Sequence, residues 1–142
     1  MESRGKTLFI DIDGTIFRHQ VDGSGANFTP SRANEFILEG VKFYFNEWHS
    51  KGYRIILTTG RTESMRKITE QQLVEAGLFW DMLLMGIGGG ERILINDIPP
   101  GKSIKAVAIN VKRDEGFDNI DELYHEAKVA LGCKEENNKY VI

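Results

Sequence analysis

The chain has 142 residues, 41% hydrophobic and 27% charged, with a formal net charge of -3. This composition excludes a disordered chain, and the length suits one domain with its own core and is short for two. The acidic balance gives no support for a nucleic-acid partner, the single cysteine (Cys133) excludes an internal disulfide and fits a reducing, cytoplasmic setting, and no apolar run approaches the roughly 18 residues of a membrane span or resembles a signal peptide.

The elements follow in chain order. "KTLFID" (Lys6 to Asp11) predicts a short buried strand, and the Gly-rich, polar stretch Gly14 to Phe28 a loop or small hairpin. Thr29-Pro30 reads as a helix start, and Ala33, Ile37, Val41, Tyr44 and Trp48 recur at helical spacing, predicting one amphipathic helix over Ser31 to Ser50, ended by Gly52. "YRIILTT" (Tyr53 to Thr59) predicts a second strand. Thr62 would cap a second helix with Met65, Ile68, Leu73 and Ala76 on one face, stopped by Gly77. Strands are further expected at Trp80 to Gly86, Arg92 to Asp97 and Ala106 to Val111, the "GIGGG" run (Gly86 to Gly90) being a plain connection. A last helix starts near Asp118 and ends at Gly132, followed by a polar tail over 133–142. This order predicts a single α/β domain, a three-layer sandwich around a mostly parallel, Rossmann-like sheet.

Three of these strands end in residues of catalytic type: Asp11 with Asp13 close behind, then Thr58-Thr59-Gly60-Arg61, then Asn96-Asp97. Ligands of open α/β sheets bind outside the carboxyl ends of the strands, so parallel neighbours would gather all three clusters at one rim. Carboxylates gathered there repel one another unless a cation is present, and hard oxygen ligands with open positions favour Mg²⁺. Such a site can accept a phosphate monoester. One carboxylate would attack phosphorus, a second would move the proton, and a hydroxyl and a cation would hold the phosphoryl oxygens. Arg61 either pairs with an acidic neighbour or reaches substrate, and the sequence does not separate the two.

"DIDGT" (Asp11 to Thr15), "ILTTGR" (Ile56 to Arg61) and "ILIND" (Ile93 to Asp97) resemble, in order, the first, second and fourth motifs of the haloacid dehalogenase-like (HAD) superfamily. The two aspartates of "DIDGT" match its phosphatase branch. The resemblance implies that Asp11 is nucleophile and Mg²⁺ ligand, and that Asp13 is general acid/base with its backbone carbonyl on the metal. It further implies that Thr59, with Gly60 beside it, binds the phosphoryl group, and that Asp97 completes the metal site. The third motif of that family is usually a Lys shortly before the fourth. Here no Lys lies between Gly77 and Asp97, so Arg92 is the expected substitute, with Lys67 and Lys102 as alternatives. Gly14 to Phe28 and Thr62 to Glu91 are too short for a cap domain. A capless site suits a larger substrate, or one closed off by a second copy of the chain. "GVKFYFNEW", "LTTGR" and "LINDIPP" also resemble small phosphatase-like proteins of bacterial surface-polysaccharide clusters, which implies a phosphorylated sugar. The expected activity is an aspartyl-phosphate phosphatase. The competing readings are a receiver-like signalling domain that accepts phosphate without turnover, and a non-catalytic binding protein.

Overall fold

The computed structural model describes residues 5–20, 28–134 and 139–142. The chain forms two compact units. The first comprises Met1–Gly89 with Lys112–Asp118, and the second Gly90–Val111 with Asn119–Ile142.

The first unit is an α/β fold on a parallel, Rossmann-type sheet. Its strands are β1 (Thr7–Asp11), β2 (Arg54–Thr58) and β3 (Met82–Leu84), in the order β1-β2-β3. Parallel pairing needs a long crossover, and helices supply both. Between β1 and β2 come α1 (Ala33–Phe36) and α2 (Val41–Ser50); between β2 and β3 comes α3 (Arg66–Glu75). Thr62 to Glu91 is taken up by α3, β3 and their turns, leaving no room for a cap. Side chains alternate across the pleat, so Ile10, Leu57 and Leu83, in register with one another, are all buried, whereas Phe9 and Met82 on the opposite face are about half exposed. Beneath α2, Phe45 and Trp48 are fully buried, and the Trp48 ring lies 5.8 Å from that of Phe117.

The helix expected over Ser31 to Ser50 is interrupted. A 3-10 turn at Pro30–Arg32 leads into the four-residue α1, Ile37 becomes extended, and α2 starts only after Gly40. The cause is a competing pairing. Ile37 bridges Phe17 antiparallel, the Arg18 amide donates to the Phe36 carbonyl at 2.8 Å, and the Leu38 amide donates to Ile16 at 2.9 Å. Helical spacing of apolar residues survives the break because both pieces face the same core, so periodicity alone could not reveal it.

Thr62 stands at the predicted start of the next helix, but a 3-10 turn (Glu63–Met65) precedes α3, and the Thr62 hydroxyl bonds Ser64 rather than capping the backbone. Arg66 ties this corner together. Its guanidinium donates to Glu63, to Glu70 and to the Leu83 carbonyl of β3. The hydrogen bond from Arg66 holds the Glu63 carboxyl below its ordinary range, so the charge on Glu63 and the full strength of the pair are lost as pH falls through that lowered value.

In the second unit, α4 (Ile120–Ala130) lies where the last helix was expected, and Ile120 is buried. The strands expected at Arg92 to Asp97 and Ala106 to Val111 are absent among the described residues. An apolar run encodes burial tendency, but strand structure requires a hydrogen-bonded neighbour, and neither segment has one. Ile93 and Ile95 are accordingly 74% and 88% exposed. The Tyr140 amide donates to His125 Nδ1 at 2.9 Å and the Ile142 amide to Asp121 at 3.0 Å, so the tail residues 140–142 run along α4; 135–138 of the predicted tail and 21–27 of the predicted loop lie outside the described residues. No helix among the described residues is long and apolar enough to cross a membrane.

Two left-handed glycines give a test of packing in the first unit. Gly52 (φ 75°) and Gly116 (φ 76°) share a backbone conformation, but a Cβ at Gly52 would meet nothing within 4 Å, whereas one at Gly116 would lie 2.3 Å from the Glu39 carbonyl oxygen. Gly52→Ala should cost about 1–2 kcal/mol from backbone strain alone. Gly116→Ala should cost at least ~2 kcal/mol more, because main chain must move. Urea midpoints of the two variants measure the difference, and equal losses would contradict the close approach of 112–118 to Glu39.

Candidate active site

β1 and β2 run parallel in a register that places Asp11 opposite Thr58, so the first two sequence motifs end side by side at the carboxyl edge of the sheet. Past Asp11 the chain turns tightly. The amides of Thr15, Ile16 and Phe17 all point at the Ile12 carbonyl, and Gly14 donates to Phe17 at 2.7 Å. Ile12, Ile16 and Phe17 are fully buried, which anchors the turn from below and leaves Asp11 and Asp13 half-buried at the rim. The Thr15 hydroxyl donates to Asp11 Oδ2 at 3.3 Å and braces the carboxylate.

Asp13 is fixed by Arg61. Arg61 Nε donates to Oδ2 at 2.9 Å and Nη2 to Oδ1 at 2.8 Å, a two-pronged pair in which the Arg61 side chain is 2% exposed and that of Asp13 17%. The remaining donor, Nη1, bonds the Thr69 hydroxyl at 3.0 Å and the Gln72 side-chain oxygen. Gln72 in turn donates to the Phe28 carbonyl at 2.9 Å. Thr69 and Gln72 sit three apart on α3, on the face that also buries Leu73, so both polar groups enter the core and find partners there. Of the two readings of Arg61, pairing with an acidic neighbour is the observed one.

Thr59 follows β2 and is 1% exposed. Its hydroxyl accepts the Arg61 amide at 3.1 Å, while its own amide and carbonyl bond Leu84 and Ile87. Gly60 is exposed, and a Cβ there would sit 3.2 Å from the Ile87 carbonyl oxygen. The start of "GIGGG" thus serves as a brace: Gly86 and Ile87 donate to Arg61 and Thr59, holding the loop after β2.

Four of the expected site residues, Asp11, Asp13, Thr59 and Gly60, therefore belong to one continuous piece of the first unit. Asp97 and Arg92 belong to the second. Both are exposed, and Arg92 Nη1 donates to the Gly90 carbonyl at 3.1 Å. Lys67 is exposed on α3 and Lys102 is exposed in the second unit. Among the described residues, no three His, Cys, Asp or Glu side chains group closely enough to form a metal cage. The donors that the first unit offers are hard oxygens, those of Asp11 and Asp13. That set fits Mg²⁺, which is commonly held by one or two carboxylates with water and phosphate oxygens completing its shell.

Comparison with known proteins gives partial likenesses. No family model matches the chain, and no curated protein matches it. A chain of the Pnkp1/Rnl/Hen1 RNA repair complex is 28% identical over 62% of this chain, with a TM-score of 0.44. This chain spans only 28% of that one's length. A protein from Vibrio cholerae is 22% identical over 64% of this chain and 79% of its own, with a TM-score of 0.39. The D,D-heptose 1,7-bisphosphate phosphatase of B. bronchiseptica, solved with magnesium and phosphate, is 16% identical over 89% of this chain and 64% of its own, with a TM-score of 0.41.

The Arg61–Asp13 pair should be a stability determinant in its own right. Arg61→Ala leaves a mostly buried carboxylate without its partner and is expected to cost about 3–5 kcal/mol. Gln72→Leu strands the Phe28 carbonyl and one Arg61 donor and is expected to cost about 1–3 kcal/mol. Chemical denaturation reads both, and an Arg61→Ala loss below about 1 kcal/mol would be incompatible with a desolvated pair.

Proposed function

We propose that the protein is a Mg²⁺-dependent phosphate monoester hydrolase of the HAD type, acting through an aspartyl-phosphate on Asp11. The observation that carries this reading is the pairing of β1 with β2, which sets Asp11 beside the Thr58-Thr59-Gly60 end and leaves Asp13 locked two residues away.

In this reading an Asp11 carboxylate oxygen attacks phosphorus. The phosphorus–oxygen bond to the leaving group breaks, and the leaving oxygen takes a proton from the Asp13 carboxyl. Asp13 then removes a proton from water. That water attacks phosphorus, the bond to Asp11 breaks, and inorganic phosphate departs. Arg61 holds Asp13 in one orientation; each carboxylate oxygen has a second lone pair, so the clamp does not block proton transfer. Thr59, with Gly60 beside it, supports the phosphoryl oxygens. Mg²⁺ would be held in the first unit by the Asp11 carboxylate and the Asp13 carbonyl, Asp97 being the further ligand that the resemblance to the HAD motifs implies, and when bound it supplies charge neutralisation at the phosphoryl group. With the Arg61 fork on its carboxylate, Asp13 would offer the metal its backbone carbonyl, the group that the resemblance assigns. Arg92 is the proposed phosphate cation, Lys67 and Lys102 being its substitutes. A phosphorylated sugar or larger ester is the proposed substrate class, and a second copy of the chain a candidate for closing the site.

The protein should hydrolyse a generic aryl phosphate slowly with Mg²⁺ and lose the activity in EDTA. Asp11→Asn should reduce turnover to background. Asp13→Asn should slow it by about 10²–10⁴-fold, measured at a temperature where circular dichroism shows the variant still folded. A folded protein inactive across a broad phosphate-ester panel would refute the phosphatase reading, and a fully active Asp13→Asn would refute the acid/base role.

A further inference from the structure

The segment Lys112–Asp118 belongs to the first unit, far in sequence from β1, yet it is stitched to the turn that carries Asp13. The Asp114 amide donates to the Gly14 carbonyl at 2.9 Å. Asp114 Oδ1 accepts the His19 amide at 2.7 Å, and the Phe117 amide donates to Glu39 at 2.8 Å. Asp114 takes a left-handed conformation (φ 65°), uncommon for a residue with a side chain, to make these bonds. The consequence is the placement of Arg113. Its Cγ lies 3.2 Å and its Nε 3.7 Å from where a Cβ on Gly14 would be, with His19 Cβ on the same spot at 3.7 Å.

Arg113 is exposed, and among the described residues its guanidinium has neither a hydrogen-bond nor an ion-pair partner. Asp114, the nearest carboxylate in sequence, faces the His19 amide instead. Arg113 thus lies against the residue that follows Asp13, on a segment whose main chain is tied down at three points, and its donor fork is unmatched among the described residues. Asp13 faces the leaving-group oxygen in the proposed mechanism, so the leaving portion of the substrate is what would pass Gly14.

We infer that Arg113 is a specificity-determining residue that binds a second anionic group, a carboxylate or another phosphate, on the leaving portion of the substrate. The inference rests on the phosphatase reading for the direction in which substrate lies, and it narrows the substrate class to doubly anionic esters. A planar carboxylate or phosphate accepts two parallel N–H bonds from such a fork, which a neutral hydroxyl cannot do.

The test uses 4-carboxyphenyl phosphate and its methyl ester, which differ in one charge. The wild-type protein should prefer the acid, and Arg113→Gln should lower that preference in kcat/KM by about tenfold or more, the loss of one charge-assisted contact. Arg113→Lys should recover part of the preference, because it restores the charge without the fork. An unchanged acid-to-ester ratio in Arg113→Gln, with melting temperature preserved, overturns the inference. Calorimetric binding of the same two probes separates it from the wider reading. With no turnover of either probe or of the broader ester panel, the phosphatase proposal fails, while tighter binding of the acid that Arg113→Gln abolishes still supports the anion site. Equal binding of acid and ester by the wild-type protein overturns it.

Discussion

The arrangement at the carboxyl edge of the sheet depends on one buried guanidinium. Arg61 carries a charge into a place where its side chain is 2% exposed, and a charge there is tolerable only when its donors are met. They are met by elements far apart in sequence: Asp13 after β1, and Thr69 and Gln72 on α3. The position of α3 against the β1 turn is therefore tied to a hydrogen-bond pattern of fixed geometry as well as to apolar packing. A planar fork admits little sliding, so the constraint is directional in a way that contacts such as those of Leu73 are not. Gln72 extends it to Phe28, whose ring stacks on Phe36 at 4.4 Å, and so to the end of α1.

The same pair answers the difficulty posed by two aspartates two positions apart. Asp11 and Asp13 would repel if both were left to the same small volume. The fold separates their environments. Asp13 receives a bidentate cation supplied by the protein, whereas Asp11 receives a hydroxyl from Thr15. Different surroundings for neighbouring carboxylates are the usual physical basis for giving them different chemical tasks, which in the proposed mechanism are nucleophile and proton carrier.

Much of this was legible in the residues. The three strands that form were readable from "TLFID", "RIILT" and "MLL", because a parallel strand buried on a face is written as an apolar run. The placement of Asp11, Asp13, Thr59 and Gly60 at the strand ends was readable because polar residues there break that run abruptly. The helix interruption at Ile37 was not, since it depends on Phe17, 20 positions away, competing for the backbone. Nor was the network around Arg61. Thr69 and Gln72 share the inward face of α3 with Leu73 and Ala76, and two polar residues on an otherwise apolar face were the available signal that something charged had to be met inside. The segments Arg92 to Asp97 and Ala106 to Val111 failed as strands for the complementary reason: composition specifies what must be buried, and pairing specifies what is a strand.

Arginine is used in two opposite ways within this one unit, and the contrast bears on how a chain of net charge -3 could attract an anion. Arg61 is enclosed and saturated, so its charge is cancelled by Asp13 at contact distance and contributes little field outside. Arg18, His19, Lys112 and Arg113 are carried on the two segments that meet at the buried Gly14. Overall charge governs long-range approach only weakly, because screening at physiological salt limits it to about 8 Å. The local balance then matters, and on these segments Asp13 is paired with Arg61 and Asp114 is turned toward a backbone amide, while Glu115 remains an exposed acid. In the proposed anion site, pairing Asp13 with the buried Arg61 leaves Arg113 at the surface to meet a ligand.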